Sequence, residues 1–106
     1  DPAIEGKDIL THRDLYDIVV CTDVLEHVEP DYLDETLEDI HCHCRKVVYL
    51  CISTREAKKS LPDGRNAHLT VLDPVTWISI MAKYFILHRI EFDEESQELR
   101  YIGRPK

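Results

Sequence analysis

Two uninterrupted apolar runs, Ile18-Val19-Val20-Cys21 and Val47-Val48-Tyr49-Leu50-Cys51-Ile52, constrain this chain more than any other feature. Neither alternates apolar with polar residues, so neither suits a sheet with one wet face. Runs of this length bounded by polar residues read as strands over 16–22 and 46–53, buried on both faces as in a parallel sheet. Between them, Leu33, Leu37 and Ile40 recur at helical spacing, with Asp34, Glu35, Glu38 and Asp39 interleaved. Pro30-Asp31 opens that helix, the early acidic residues suit the positive end of its dipole, and it ends near 42–45. Strand, helix and strand of these lengths make a right-handed βαβ unit. Both runs are far too short to span a bilayer, and no membrane association is expected.

The remainder reads as a loop, a helix and a hairpin. Residues 54–70 carry turn formers at Pro62, Asp63-Gly64 and Asn66. Asp73 is placed to cap a second helix with Pro74 at its first position. Trp77, Ile80, Met81, Tyr84 and Phe85 give that helix an apolar stripe, read as core. Residues 86–92 form a third strand, with Leu87, Arg89 and Glu91 expected on one face and Ile86, His88, Ile90 and Phe92 on the other. Glu94-Glu95-Ser96 then turns the chain into a last strand over 98–102, antiparallel to the third. Residues 1–15 read as loop, with a short strand at Ile9-Leu10. The expectation is one partial α/β domain over 1–106: a mixed sheet of about four strands, two main helices and a C-terminal antiparallel hairpin.

Charge narrows the function classes. With 21 acidic against 13 basic residues, the net charge is -8. That argues against a broad nucleic-acid surface, which needs clustered Lys and Arg. Lys58-Lys59 and Arg65 are the local basic candidates and read as a solvated loop. Of four cysteines, Cys21 and Cys51 lie in strand-like runs, where a thiol acts as a small hydrophobe. With no secretion signal or lipidation motif in view, reduced thiols in a cytoplasmic setting are expected. His41-Cys42-His43-Cys44 invites a zinc reading. Alternate residues at a helix end do not share a face, however, and no second pair follows at zinc spacing.

The stretch from Tyr16 to Val28, with its aromatic-Asp opening and its Asp23-x-x-Glu26-His27 close, resembles the fourth strand and following loop of class I S-adenosylmethionine-dependent methyltransferases. Val47 to Ser53 resembles their fifth strand. The loop Leu61 to Leu69 and the segment Pro74-Val75-Thr76-Trp77 look like the loop and helix beyond it, and the final hairpin like the sixth and seventh strands. The resemblance covers roughly residues 14–102 and implies the C-terminal part of a Rossmann-like fold. One departure is plain. The family begins with a strand and a Gly-x-Gly loop that cradles the cofactor's methionine part, where only glycine lets the backbone approach closely. This sequence has Gly6, Gly64 and Gly103, no two of them near each other.

The resemblance implies methyl transfer from S-adenosylmethionine to an oxygen or nitrogen acceptor. Asp1 would be the acidic residue on the ribose hydroxyls, with Thr22 and Asp23 also beside the cofactor. Asp23, Glu26, His27 and His68 are the candidate catalytic residues. Asp23 and Glu26, three apart on a helical turn, can face one way with His27 adjacent, and His68 comes from the loop after the next strand. Both loops leave the carboxyl ends of neighbouring strands, where open α/β sheets bind ligands. Two carboxylates and two imidazoles there suit a divalent metal, from Mg or Mn to Fe, Co or Zn. The arrangement resembles metal-dependent O-methyltransferases of small RNA and of the ubiquinone pathway, in which the metal polarises the acceptor hydroxyl. His27 or His68 acting as a general base without metal is an open alternative. So are plainer roles, with Asp23 capping the turn, Glu26-His27 orienting a loop and His68 bonded to backbone.

A strand as apolar as 16–22 with an open edge is a pairing hazard. A homo-oligomer, or a second chain along that edge, is expected to cover it. The competing function is a non-catalytic methyltransferase-like remnant that serves as an oligomeric or partner-binding module.

Overall fold

The computed structural model describes residues 15–106, so Asp1 and the strand expected at Ile9-Leu10 lie outside the described residues. The first apolar run forms β1 (Tyr16–Thr22), the amphipathic segment α1 (Leu33–His43) and the second run β2 (Cys44–Ser53). Then come α2 (Pro74–Met81), β3 (Phe85–Asp93) and β4 (Glu98–Pro105). β1 and β2 pair in parallel, while β4 lies antiparallel between β2 and β3, so the sheet order is β1-β2-β4-β3. This is the expected mixed α/β sheet with two main helices and a C-terminal hairpin.

The core lies between one face of the sheet and the helices. Val19 and Cys21 from β1, Val48, Leu50 and Ile52 from β2, and Leu99 and Tyr101 from β4 are buried there. Leu33, Leu37 and Ile40 of α1 and Trp77 and Met81 of α2 join them in one apolar cluster. Fully burying side chains of this kind stabilises by roughly 1.5–3 kcal/mol each. Local signals set the element ends. Asp73 Oδ1 accepts from Thr76 N at 2.7 Å, capping α2 as expected, and that N–H holds its carboxyl below the usual range. The hydroxyl of Tyr84, just past α2, donates to Asp34 Oδ1 at 3.1 Å and ties the two helices together.

Two readings of the sequence need correction. β1 is not buried on both faces, because Ile18 is 62% exposed and Val20 44%. The register pairs Ile18 with Val47 and Val20 with Tyr49, so these residues share the face opposite the helices. Both faces of the run are apolar, but among the described residues the helices cover one of them. The simple alternation expected along β3 also fails. Leu87 pairs with Gly103 and Arg89 with Ile102, leaving His88 as the extra residue of a bulge. Leu87 and Arg89 therefore point to opposite faces.

Gly103 has a steric cause at this bulge. A Cβ there would land on the carbonyl oxygen of Ile86 across the β3–β4 pair. The His-Cys-His-Cys segment is absorbed by structure: His41 Nε2 donates to Lys106 O at 3.0 Å, His43 Nδ1 to Asp39 O at 2.8 Å and Cys44 Sγ to Val47 O at 3.2 Å. No helix among the described residues is long and apolar enough to cross a membrane.

Candidate functional site

β1 delivers the chain to a sharp turn. Asp23 adopts φ 58°, a left-handed conformation that an L residue pays to hold and that Asp tolerates better than most. Its N–H donates to Cys51 O at 3.2 Å, anchoring the turn to the adjacent strand. A 3-10 turn, Leu25–His27, follows. It drops Leu25 into the core, buries Glu26 and leaves His27 exposed.

The facing wall is the segment after β2. Thr54 donates from both N and Oγ1 to Gln97 O, at 3.0 and 2.7 Å, so the loop starts pinned to the β3–β4 turn. Further on, Ser60 and Asn66 form an isolated antiparallel bridge. The tight turn at its end closes by Gly64 N donating to Leu61 O at 2.9 Å, with Gly64 at φ 91°, where glycine is unstrained. Arg65 pairs with Asp63 at 2.8 Å and reaches Glu29 at 3.4 Å, which leans the loop on the segment after His27. Thr70 completes the join, its N donating to Glu26 O at 3.1 Å and its Oγ1 to Val28 O at 2.6 Å.

Three of the four candidate side chains converge between these walls. One ligand atom from each of Glu26, His27 and His68 lies within 4.8 Å of the others. The two imidazoles meet edge to face, with centroids 4.9 Å apart. His27 Nδ1 donates to Ala67 O at 3.0 Å and His68 Nδ1 to Arg55 O at 2.6 Å. A carbonyl can only accept, so each Nδ1 carries a proton, and in the neutral ring the lone pair is then on Nε2. Glu26 is 1% exposed, and its Oε1 has no hydrogen-bond partner among the described residues. Burial pushes its carboxyl above the ordinary range, against the pull of the Glu26 and Ser53 backbone amides and of His27. Asp23 is not a member of this group of three, although its charge adds to the rise at Glu26. Thr22 ends β1 and is half-buried beside that turn.

No family model and no curated protein matches the chain at the sequence level. Solved structures do. A protein from Pyrococcus horikoshii OT3 superposes with a TM-score of 0.70 at 12% identity, over 92% of this chain and 55% of that one. The Burkholderia thailandensis 1,6-didemethyltoxoflavin-N1-methyltransferase, bound to 1,6-didemethyltoxoflavin and S-adenosylhomocysteine, gives 0.64 at 17% identity, over 92% of this chain and 47% of that one. The magnesium protoporphyrin IX methyltransferase of Synechocystis PCC 6803, with S-adenosylhomocysteine bound, gives 0.62 at 14% identity, over 88% and 46%. The fold is part of the Rossmann-like methyltransferase fold. At these identities the likeness establishes the fold alone, and the chain spans about half the length of the structures it matches.

In a methyltransferase fold of this kind, ligands bind outside the carboxyl ends of the strands. Thr22, Asp23 and the Glu26-His27-His68 group follow the carboxyl ends of β1 and β2. The sequence reading missed the residues that hold the group together: Asn66, Thr70, Arg65 with Glu29, and the carbonyls of Arg55 and Ala67. Asn66 and Asp63-Gly64 registered as turn formers, which is as far as local sequence reaches. Their partners lie across the loop or on the neighbouring strand end.

Proposed function

We propose that this chain forms the acceptor side of an S-adenosylmethionine-dependent methyltransferase, with Glu26, His27 and His68 holding a divalent cation. The observation that carries the cation is Glu26, a buried carboxyl group whose Oε1 has no hydrogen-bond partner among the described residues, beside two imidazoles that in the neutral form offer Nε2 as an acceptor. Such a carboxylate is costly unless something positive completes it. Two neutral imidazoles and one carboxylate form a borderline donor set that suits Mn, Fe, Co or Zn better than Ca. The Nδ1–H bonds to Ala67 and Arg55 are the outer-sphere support that metal-binding histidines usually have. Asp23, at the lip of the turn, is proposed as a fourth ligand or as an acceptor-positioning carboxylate.

Support for the methyl donor comes from the fold and from the S-adenosylhomocysteine bound in two of the matching methyltransferases. When bound, S-adenosylmethionine supplies the methyl group from its sulfonium. The residues here do not include the glycine pair that would cradle its methionine part, so the proposed donor contacts of this chain are those of Thr22 and Asp23. What this chain would contribute is a site that activates an acceptor hydroxyl or amine: a cation held there would lower its pKa, and a histidine Nε2 not engaged by the cation would take the proton. The open edge of β1 is proposed to pair with a second chain or a second copy, and light scattering at micromolar concentration checks it: a monomer counts against.

Titration calorimetry with Mn²⁺, Co²⁺ and Zn²⁺ tests the cation. Saturable binding that is lost in Glu26→Gln and His68→Ala is expected, and heat unchanged by both variants refutes the site. Calorimetry with S-adenosylmethionine and S-adenosylhomocysteine tests the donor. A second reading is a non-catalytic module that retains the fold. Micromolar binding supports the enzyme, and no heat at millimolar ligand supports the module.

A further inference from the structure

The side chain of Asn66 makes three hydrogen bonds, all to backbone. Its Oδ1 accepts from Ala57 N and from His68 N, each at 2.9 Å, and its Nδ2 donates to Ala57 O at 3.0 Å. One amide thus satisfies both polar groups of Ala57, as a neighbouring strand would, and also ties down the N–H of His68. The two ends it joins are the ones that matter to the site. Arg55, two residues before Ala57, presents the carbonyl that orients the His68 ring. Ala67, between Asn66 and His68, presents the carbonyl that orients His27. Ala67 N in turn donates to Lys59 O at 3.1 Å, so the two strands of the loop are fixed on both sides of the amide.

We infer that Asn66 is the positioning residue of the site, setting both carbonyl anchors and so holding His27 and His68 as Nδ1–H tautomers with Nε2 free. It touches neither ligand nor reacting atoms. Asn is the residue this geometry requires, because it offers an acceptor and a donor on one planar group. Aspartate keeps both acceptor contacts but sets a carboxylate oxygen against the Ala57 carbonyl. Alanine loses all three bonds. The inference concerns the order of the two imidazoles; its bearing on metal affinity rests on the cation site proposed above.

Long-range ¹H–¹⁵N NMR of the 106-residue chain reads the tautomers directly, without metal or activity. The wild type is expected to show His27 and His68 as Nδ1–H forms. Asn66→Ala is expected to show mixed tautomers at both rings, with far-UV circular dichroism unchanged and zinc affinity roughly 10- to 100-fold weaker, as for lost outer-sphere support. Asn66→Asp is expected to keep the loop closed but to show a measurable population of the other tautomer at His68, smaller than in Asn66→Ala, and a smaller loss of zinc affinity. It carries the test if Asn66→Ala fails to fold. Unchanged tautomers in whichever variant folds, or wild-type zinc affinity in both, overturns the inference even when the wild type binds zinc. If the wild type binds no zinc but its ordered tautomers are lost in Asn66→Ala, the positioning role stands and the cation proposal falls.

Discussion

Along β1, the two faces of the sheet have almost the same chemistry and different fates. On one, Val19, Cys21, Val48, Leu50, Leu99 and Tyr101 are sealed by α1 and α2. On the other, Ile18, Val20 and Val47 are no less apolar, yet all three are exposed. An apolar strand therefore reports that it can be buried on both sides, and not that both sides are covered within the residues described. The polar site follows the carboxyl ends of β1 and β2, with Glu26 buried there.

The sharpest way to break this contrast is Trp77→Ala. Trp77, on α2, is fully buried, and its truncation is expected to cost about 3–5 kcal/mol. For a domain of this size that is most of a typical stability margin, so chemical denaturation should show a largely unfolded chain at 25 °C. A mild, two-state loss would mean that the helical cover matters less than the burial implies. Next comes Gly103→Ala, expected to cost about 2 kcal/mol because the new methyl meets the Ile86 backbone, which must move. The same denaturation curve reads it, and a neutral result would mean that the β3–β4 pair is loose at the bulge.

Glu26 probes the electrostatics of burial at the strand ends. Its folded-state pKa is raised, so between the ordinary carboxylate value and that raised value the folded protein holds more protons than the unfolded one. Its contribution to stability accordingly falls as pH rises through that window and is constant above it. Metal-free Glu26→Gln should therefore melt higher than wild type at pH 7, with the gap closing as pH drops toward the ordinary glutamate range. A variant that melts lower at pH 7 would mean that the carboxylate is satisfied by something other than a cation. The smallest effect belongs to the bare face. Ile18→Ser should change monomer stability by within about 0.5 kcal/mol while reducing self-association in sedimentation. A large destabilisation would show that this face is covered after all.

Much of the fold was legible because periodicity carries it. The runs around Val19 and Val48, the Leu33-Leu37-Ile40 stripe and the Asp73-Pro74 cap each declare their element locally. The group Glu26, His27 and His68 was legible as chemistry, since a motif after one strand and a histidine after the next converge wherever the strands are parallel neighbours. The bulge at His88 was not, because it depends on the register with β4 and leaves the alternation of residue types intact. Nor was the role of Asn66, whose partners lie nine residues upstream and two downstream and follow no repeat. Asp23 stands between the two cases. Its residue type suggested a ligand, and it adopts a left-handed turn and is not one of the three side chains that meet, although its charge still reaches Glu26.

The bond pair from Thr54 to Gln97 reaches beyond local bracing. The histidine-bearing loop begins at Thr54, and both of its anchors fall on one carbonyl in the β3–β4 turn, where Gln97 itself holds a left-handed backbone at φ 58°. The C-terminal hairpin is thus a strut for the carboxyl-terminal end of β1 and β2, where the proposed site lies. Whatever bends its tip, a docked partner or a single residue change, also tilts the platform on which His68 stands.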